Sequence, residues 1–139
     1  MVVKSSPWNA TFAIVRRTGN TLLGGMGLRI AAEHARAELG YWIGVPHWGL
    51  GYATEAAAAV LRYGFEELGL RRIHAGHYAN NPASGRVLTK VGMAREGHLR
   101  AHVVKWGEPL DVVEYAILAE EWRLRIPGPR SQPEPDVPA

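Results

Sequence analysis

The stretch from residue 38 to residue 78 constrains the fold most, because it predicts a strand, a helix and a second strand in direct succession. Over residues 38–45, alternation puts Leu39, Tyr41, Ile43 and Val45 on one face and Glu38, Gly40, Trp42 and Gly44 on the other, which is typical of a strand. Apolar side chains recur at helical spacing over residues 51–68, and Gly69 supplies the C-terminal stop. Residues 72–78 predict the second strand. If both strands belong to one sheet, the crossover between them must be parallel and right-handed.

Hairpin sequences on both sides of this unit predict antiparallel neighbours for it. Residues 8–15 and 22–30 predict two strands, joined by a turn at residues 18–21. After a second predicted helix at residues 81–92, residues 94–118 predict a closing pair of strands. The element order is β-β-β-α-β-α-β-β. The predicted fold class is therefore α/β, with a mixed, mostly antiparallel sheet around a central β-α-β unit.

Length and composition indicate a single globular domain. The 139 residues suffice for one hydrophobic core, and 47% of them are apolar against 21% that are charged. We expect this domain to cover residues 1–126. Residues 127–139 hold five of the nine prolines and predict a disordered tail.

Composition also argues against several kinds of function. The chain has no cysteine, so it can have neither a disulfide nor a thiol nucleophile. It has no apolar run of membrane length and no signal-peptide pattern, so we expect a cytoplasmic protein without a membrane partner. The net charge is +3, but the basic residues are interleaved with acidic ones. This distribution disfavours a nucleic-acid partner and leaves it as an alternative. The six histidines show no chelating spacing, and no metal site is predicted.

The loop before the central helix has the chemistry of an anion-binding site. Gly49 and Gly51 directly precede the helix, whose first N–H groups lack partners and carry a partial positive charge. Glycines also let a backbone wrap a phosphate without Cβ clashes. A Walker loop needs Lys and Ser or Thr where Tyr52 and Ala53 stand, and a Rossmann loop needs Gly or Ala where Thr54 stands. Glycine spacing alone therefore leaves a phosphate site and an ordinary tight turn equally open.

The residues around this loop resemble a known family. GYWI at residues 40–43, followed by WGLGYATEA at residues 48–56, is similar to the acetyl-CoA-binding motif of the GNAT superfamily of N-acyltransferases. The superfamily's pyrophosphate loop, Gln/Arg-x-x-Gly-x-Gly/Ala, maps onto residues 48–53, where Trp48 departs from the general motif. That tryptophan is usual in the branch similar to ribosomal-protein N-terminal acetyltransferases, whose next motif resembles residues 81–93. The resemblance implies a GNAT-like fold whose β-α-β unit binds acyl-CoA.

The resemblance also implies that acetyl-CoA is the acyl donor, and it assigns parts of that molecule to segments of the chain. Backbone N–H groups of residues 49–54 would hold the pyrophosphate, and residues 43–45 would pair with the pantetheine arm like an added strand. Asn81 would hydrogen-bond a pantetheine amide, and Arg86 or Lys90 would meet the ribose 3′-phosphate. The implied cofactor-binding residues are Ile43, Gly44, Val45, Trp48, Gly49, Leu50, Gly51, Tyr52, Ala53, Thr54, Asn81, Ser84, Arg86 and Lys90.

Candidates for the transfer chemistry follow from what amide formation requires. A thioester reacting with an amine needs a neutral amine, a stabilised oxyanion and a proton for the departing thiolate. Glu38 is the candidate base, because GNAT enzymes often use an acidic residue in this strand; a water relay and a structural salt bridge are the alternatives. A backbone N–H near Val45 would meet the oxyanion. Ser84 and Tyr115 are the candidate proton donors, with helix-surface chemistry and sheet packing as their respective alternatives.

These features together predict an N-acetyltransferase that moves an acetyl group from acetyl-CoA to a primary amine by direct attack in a ternary complex. The acceptor stays open between a protein N-terminus, an amino acid, a polyamine and an aminoglycoside, because acceptor pockets vary freely on a shared fold. A catalytically silent acyl-CoA-binding module that acts through a partner is the alternative.

The start of the chain is short for this family, whose members usually open with a further strand and two helices before the strand matched by residues 12–15. About ten residues precede that strand here, too few for one such helix and a strand. We therefore expect Phe12, Ile14 and Leu22 to lose part of their cover. A homodimer or higher oligomer, or a natural chain longer than this one, would restore it. A compact monomer is the alternative.

Overall fold

The computed structural model describes residues 2–5, 9–44 and 48–125. Its strands are β1 (Val2–Ser5), β2 (Asn9–Val15), β3 (Leu22–Ala31), β4 (Arg36–Ile43), β5 (Arg72–Tyr78), β6 (Ala94–Lys105) and β7 (Glu108–Leu118). Its α-helices are α1 (Tyr52–Arg62), α2 (Pro82–Lys90) and α3 (Ala119–Arg125). Within these ranges, no helix is both long enough and apolar enough to cross a membrane.

The seven strands described form one sheet, in the order β1-β2-β3-β4-β5-β7-β6. β4 and β5 pair in parallel, and every other neighbouring pair is antiparallel. The parallel pair is joined through α1, because parallel neighbours need a crossover connection. The predicted α/β fold, a mixed and mostly antiparallel sheet with a central β-α-β unit, is confirmed.

β4 and β5 separate after a short parallel contact. Their paired positions run from Arg36 opposite Arg72 to Glu38 opposite His74. Beyond Glu38, β4 keeps its partners on β3 as far as Ile43, whereas on its β5 side it has none among the described residues. The sheet therefore opens at the end of β4.

The hydrophobic core lies between one face of the sheet and the helices α1 and α2. Alternation along each strand turns every second side chain toward these helices. Burying one leucine or isoleucine side chain contributes roughly 1.5–3 kcal/mol. The largest fully buried side chains are Leu23, Leu28, Val60, Leu61, Ile73, Leu88 and Ile117.

The helix predicted at residues 51–68 forms, but its last turn is wider than an α-helix. α1 is followed by a π-helical turn, Tyr63–Glu67. The Leu68 N–H donates to the Tyr63 carbonyl at 3.1 Å, five residues back instead of four. Gly69 then ends the helical segment, with a φ of +65° that glycine adopts without strain.

The start of the chain corrects the prediction at two points. A strand, β1, forms where none was expected, and it pairs antiparallel with β2, with Val3 opposite Phe12. Phe12 and Ile14 are only 3% and 6% exposed, so their predicted loss of cover is wrong. Both side chains belong to the core on the helix side of the sheet, and the Phe12 ring packs edge-on against Tyr63, with centroids 5.3 Å apart. Leu22 is 56% exposed, as predicted.

The residues after the last strand form a helix, α3, that was not predicted. The Leu118 N–H donates to Glu121 Oε1 at 2.9 Å, which fixes the turn out of β7. Trp122 is buried, and its ring lies 5.3 Å from that of Phe65. The predicted tail at residues 127–139 lies outside the described ranges.

Candidate functional site

One cleft, the first cleft, has a volume of about 500 Å³. It lies where the end of β4, the start of α1 and helix α2 meet. Its lining residues are Tyr41, Trp42, Trp48, Gly49, Gly51, Tyr52, Ala53, Thr54, Asn81, Ala83, Ser84, Arg86, Val87 and Lys90. Most of the predicted cofactor-binding residues are among them; Gly44 and Leu50 are not, and Val45 and the side chain of Ile43 lie outside what the structure describes. The separate sequence motifs therefore meet at one place.

The start of α1 presents an uncapped helix end to this cleft. Gly49 and Gly51 have φ of +77° and +84°, and a Cβ on either would meet no described atom within 4 Å. A side chain would therefore have room at either position, and it is the positive φ that favours glycine there. No side chain caps the helix. The Glu55 N–H donates to the Gly51 carbonyl at 3.0 Å, and the N–H groups of Ala53 and Thr54 lie before this hydrogen bond in the chain. Backbone donors and the helix dipole together suit an anion.

The end of β4 offers an open strand edge beside the cleft. The Gly44 N–H donates to the Leu23 carbonyl at 2.8 Å, so this residue directs its backbone groups toward β3. Because backbone direction alternates along a strand, the groups of Tyr41 and Ile43 point to the opening left by β5. An edge of this kind can pair with an extended molecule. The predicted oxyanion donor near Val45 lies outside the described residues.

Ser84, in the first turn of α2, places a hydroxyl at the wall of the cleft. Tyr41 OH donates to Ser84 Oγ at 3.1 Å, and Asn81 Nδ2 donates to the same atom at 3.5 Å. Burial raises the pKa of Tyr41, and its hydrogen bond with Ser84 opposes that effect. Sequence reasoning missed Tyr41 as a site residue. Strand alternation gave its face, but nothing in the sequence shows that this face meets α2.

Glu38, the predicted base, does not line the cleft. It lies three residues from Tyr41 on β4, so its side chain points to the other face of the sheet. Its Oε1 lies 3.2 Å from Arg29 Nη1, and 42% of the side chain is exposed. Burial lowers the pKa of His74, its neighbour on β5, and the charge of Glu38 opposes that effect. The salt bridge that was the alternative for Glu38 is therefore formed, and the role of Glu38 as base stays a prediction.

In the described part of the chain, no group of three or more His, Cys, Asp or Glu could hold a metal ion.

Tyr115, the other predicted proton donor, lies across α2 from Ser84. It lines a second cleft of about 640 Å³, between α2 and the strands β5, β6 and β7. Its hydroxyl oxygen is 3.0 Å from where a Cβ on Gly85 would stand, and its ring centroid is 5.6 Å from that of His77. Ser84 and Tyr115 therefore face different clefts.

Arg86 and Lys90 form a cationic ridge between the two clefts. They lie one helical turn apart on α2 and line both clefts. Within the ranges that the structure describes, neither side chain has a carboxylate within ion-pair distance. Like charges at this spacing weaken a helix slightly, so an anion bound at the ridge would relieve their repulsion.

Comparison with known proteins identifies the family. Residues 3–94 match the family model described as an acetyltransferase (GNAT) domain, which is well over half of the chain. The chain belongs to the GNAT acetyltransferase family. The predicted family is thereby confirmed.

Two Bacillus subtilis proteins are similar to this GNAT chain in sequence. The uncharacterized N-acetyltransferase YoaA is 42% identical over 108 residues, which cover 77% of this chain and 61% of YoaA. YdaF, provisionally named a ribosomal N-acetyltransferase, is 36% identical over 87 residues, 63% of this chain and 48% of YdaF. The latter match agrees with the predicted likeness to ribosomal-protein acetyltransferases. The chain spans about three fifths of the length of the first curated relatives it matches.

Solved structures of GNAT proteins share the fold. A mutant of the spermidine N-acetyltransferase SpeG from Vibrio cholerae matches with a TM-score of 0.79 and 26% sequence identity. The match covers 91% of this GNAT chain and 72% of the SpeG chain. The sheet and helices that form the first cleft therefore belong to a fold known from acetyltransferases.

Proposed function

We propose that this GNAT chain is an N-acetyltransferase that moves the acetyl group of acetyl-CoA to a primary amine by direct attack in a ternary complex. The observation that supports this most is the meeting of three features around one cleft. These are the uncapped start of α1 after Gly51, the open edge of β4 and the hydroxyl of Ser84. They match an anionic diphosphate, an extended amide arm and a departing thiolate.

Each part of acetyl-CoA has a partner of matching chemistry in this proposal. The pyrophosphate accepts hydrogen bonds from the backbone between Gly49 and Thr54. The pantetheine arm lies along the open edge of β4 as an added strand, and Asn81 hydrogen-bonds one of its amides. Arg86 or Lys90 pairs with the ribose 3′-phosphate, an exposed contact that salt should weaken.

In this proposal, deprotonation of the amine needs only a weak base, whereas protonation of the departing thiolate needs a well-placed acid. An α-amino group has a pKa of about 7.7–8.0, so a modest base or a water suffices to neutralise it. Glu38 is the candidate for this step and would act from the sheet face opposite Tyr41. After the amine has attacked the carbonyl, the C–S bond breaks and the thiolate takes a proton. Ser84 is the donor that the first cleft offers.

The acceptor is proposed only as a class, the primary amines. SpeG is named a spermidine N-acetyltransferase, which supports a polyamine. The provisional name of YdaF supports a protein N-terminus. Amino acids and aminoglycosides complete the set of amines that the sequence leaves open.

A panel of amines tests the proposed activity. The panel holds spermidine, a peptide with an N-terminal alanine or serine, a free amino acid and an aminoglycoside, each incubated with acetyl-CoA while free thiol is followed. We expect amine-dependent thiol release with at least one member. A silent acyl-CoA-binding module would instead show thermal stabilisation by acetyl-CoA and no release with any amine.

A further inference from the structure

The hydroxyl of Ser84 is held from two directions. Tyr41, on β4, donates from its hydroxyl to Ser84 Oγ over a distance of 3.1 Å. Asn81, the residue before α2, donates from Nδ2 to the same oxygen over 3.5 Å. A serine oxygen has two lone pairs and one proton, so both acceptor positions are then filled. The proton of Ser84 is left to donate in a third direction, and Ser84 lines the first cleft.

A serine acting alone is a poor acid for a leaving thiolate. An alcohol is about as weak an acid as water, with a pKa of about 15.7, against about 8.5 for a thiol, a gap of about seven orders of magnitude. The phenolic hydroxyl of tyrosine has a pKa of about 10, much closer to that of a thiol. Proton transfer from Ser84 becomes far easier if a tyrosine supplies the replacement proton in the same step.

Tyr41 is placed and protonated for that task. Its ring packs against the hydrophobic core, and β4 is fixed by its pairing with β3. Burial raises the pKa of Tyr41, so the hydroxyl holds its proton before transfer, whereas its hydrogen bond with Ser84 lowers that pKa and so favours the phenolate left after transfer. Within the described residues, Ser84 is the sole hydrogen-bond partner of that hydroxyl.

We propose that Tyr41 is a positioning residue for acetyl transfer, which directs the proton of Ser84 to the thioester sulfur and replaces it. The proposal rests on the proposed function, with Ser84 as the acid. As the C–S bond of the tetrahedral intermediate breaks, its electron pair goes to sulfur, sulfur takes the Ser84 proton, and Ser84 Oγ takes the Tyr41 proton. The proton released by the attacking amine returns to Tyr41 through solvent. The net products are the amide and the free CoA thiol.

The variant Tyr41→Phe tests this relay, because it keeps the ring and removes the hydroxyl. We expect the single-turnover rate at saturating acetyl-CoA and amine to fall about tenfold to a hundredfold. The calorimetric affinity for acetyl-CoA should stay unchanged. Ser84→Ala should lose at least as much, and the double variant no more than Ser84→Ala, because the two hydroxyls act as one unit. Tyr63→Phe is the matched control, since Tyr63 also packs against the core but lines neither cleft.

A solvent isotope measurement separates the relay from packing. In the wild type, the single-turnover rate should depend on the deuterium fraction with curvature, because two protons move together. In Tyr41→Phe the dependence should be linear. Additive losses in the double variant, or the same isotope dependence in both proteins, would overturn the relay. Absence of wild-type turnover with every amine of the panel would instead remove the proposed function, and the relay with it.

Discussion

Gly51 is the residue whose backbone most directly shapes the proposed pyrophosphate site. Its φ of +84° is one that a residue with a side chain adopts at a cost of about 1–2 kcal/mol. Gly51→Val should therefore distort the turn before α1 and turn its N–H groups away from the ligand. We expect the affinity for acetyl-CoA to fall at least tenfold, or about 1.4 kcal/mol, by titration calorimetry.

Gly69→Val is the matched control for that measurement. Gly69 also has a positive φ, +65°, and open surroundings, but it lies after the π-helical turn and lines neither cleft. It should lose stability in a similar way and keep its affinity for acetyl-CoA. Unchanged affinity in a folded Gly51→Val variant would remove the pyrophosphate assignment.

The role of Glu38 is decided by the pH dependence of turnover. If Glu38 is the base, Glu38→Gln should lower kcat while the acetyl-CoA affinity stays nearly intact, and the acidic limb of the pH–rate profile should move or vanish. Arg29→Gln is the control, because it breaks the same salt bridge and leaves the carboxylate in place. Equal effects of the two substitutions, or wild-type turnover in Glu38→Gln at every pH, would leave Glu38 with a structural role alone.

Sequence reasoning located the site residues that a local motif specifies. Gly51 and Asn81 line the first cleft as the resemblance implied. Tyr41 was missed because its partner, Ser84, is 43 residues away, and no local pattern gives the register between a strand and a helix. Tyr115 lines the second cleft for a related reason: which side of α2 a residue of β7 meets is set by packing.

The approach of α2 to the sheet is set by Gly85. A Cβ at this position would stand 2.8 Å from His77 Nε2 and 3.0 Å from Tyr115 OH, and His77 Nδ1 is hydrogen-bonded to the Tyr78 carbonyl at 2.7 Å. In Gly85→Ala, overpacking of about 1–3 kcal/mol opposes a gain in helix propensity of up to about 1 kcal/mol. We expect the free energy of unfolding to fall by about 1 kcal/mol, measured by chemical denaturation.

Thr89→Ala serves as the control for this helix, because Thr89 is exposed one turn further along the same face. It should gain propensity without crowding, and its stability should equal or exceed that of the wild type. A Gly85→Ala variant more stable than the wild type would show that α2 has room to move.

Elements with a clear period were predicted, whereas short elements made by tertiary contacts were not. The central β-α-β unit has a strand and a helix long enough to show their periods in the sequence. β1 has four residues, and pairing with β2 produces it. α3 has seven residues, fewer than an isolated helix needs, and the burial of Trp122 against Phe65 supports it.

Association of the chain remains a prediction. The described sheet ends in two edge strands, β1 and β6, and Val104 and Trp106 near the end of β6 are 72% and 90% exposed. Edges and apolar side chains of this kind are often covered by another copy. Light scattering at micromolar concentration should give at least twice the chain mass of 15.3 kDa. A clean monomer mass would contradict this expectation.

Transfer of the acetyl group from the first cleft to an amine is the property on which every assignment depends. Mass spectrometry of the products, combined with thiol titration, measures it directly for the amine that the panel selects. We expect one N-acetylated amine for each CoA thiol released, and a parallel fall of both in Gly51→Val at limiting acetyl-CoA. Thiol release without acetylated amine, or wild-type product formation by Gly51→Val under that condition, would contradict acetyl transfer from this cleft.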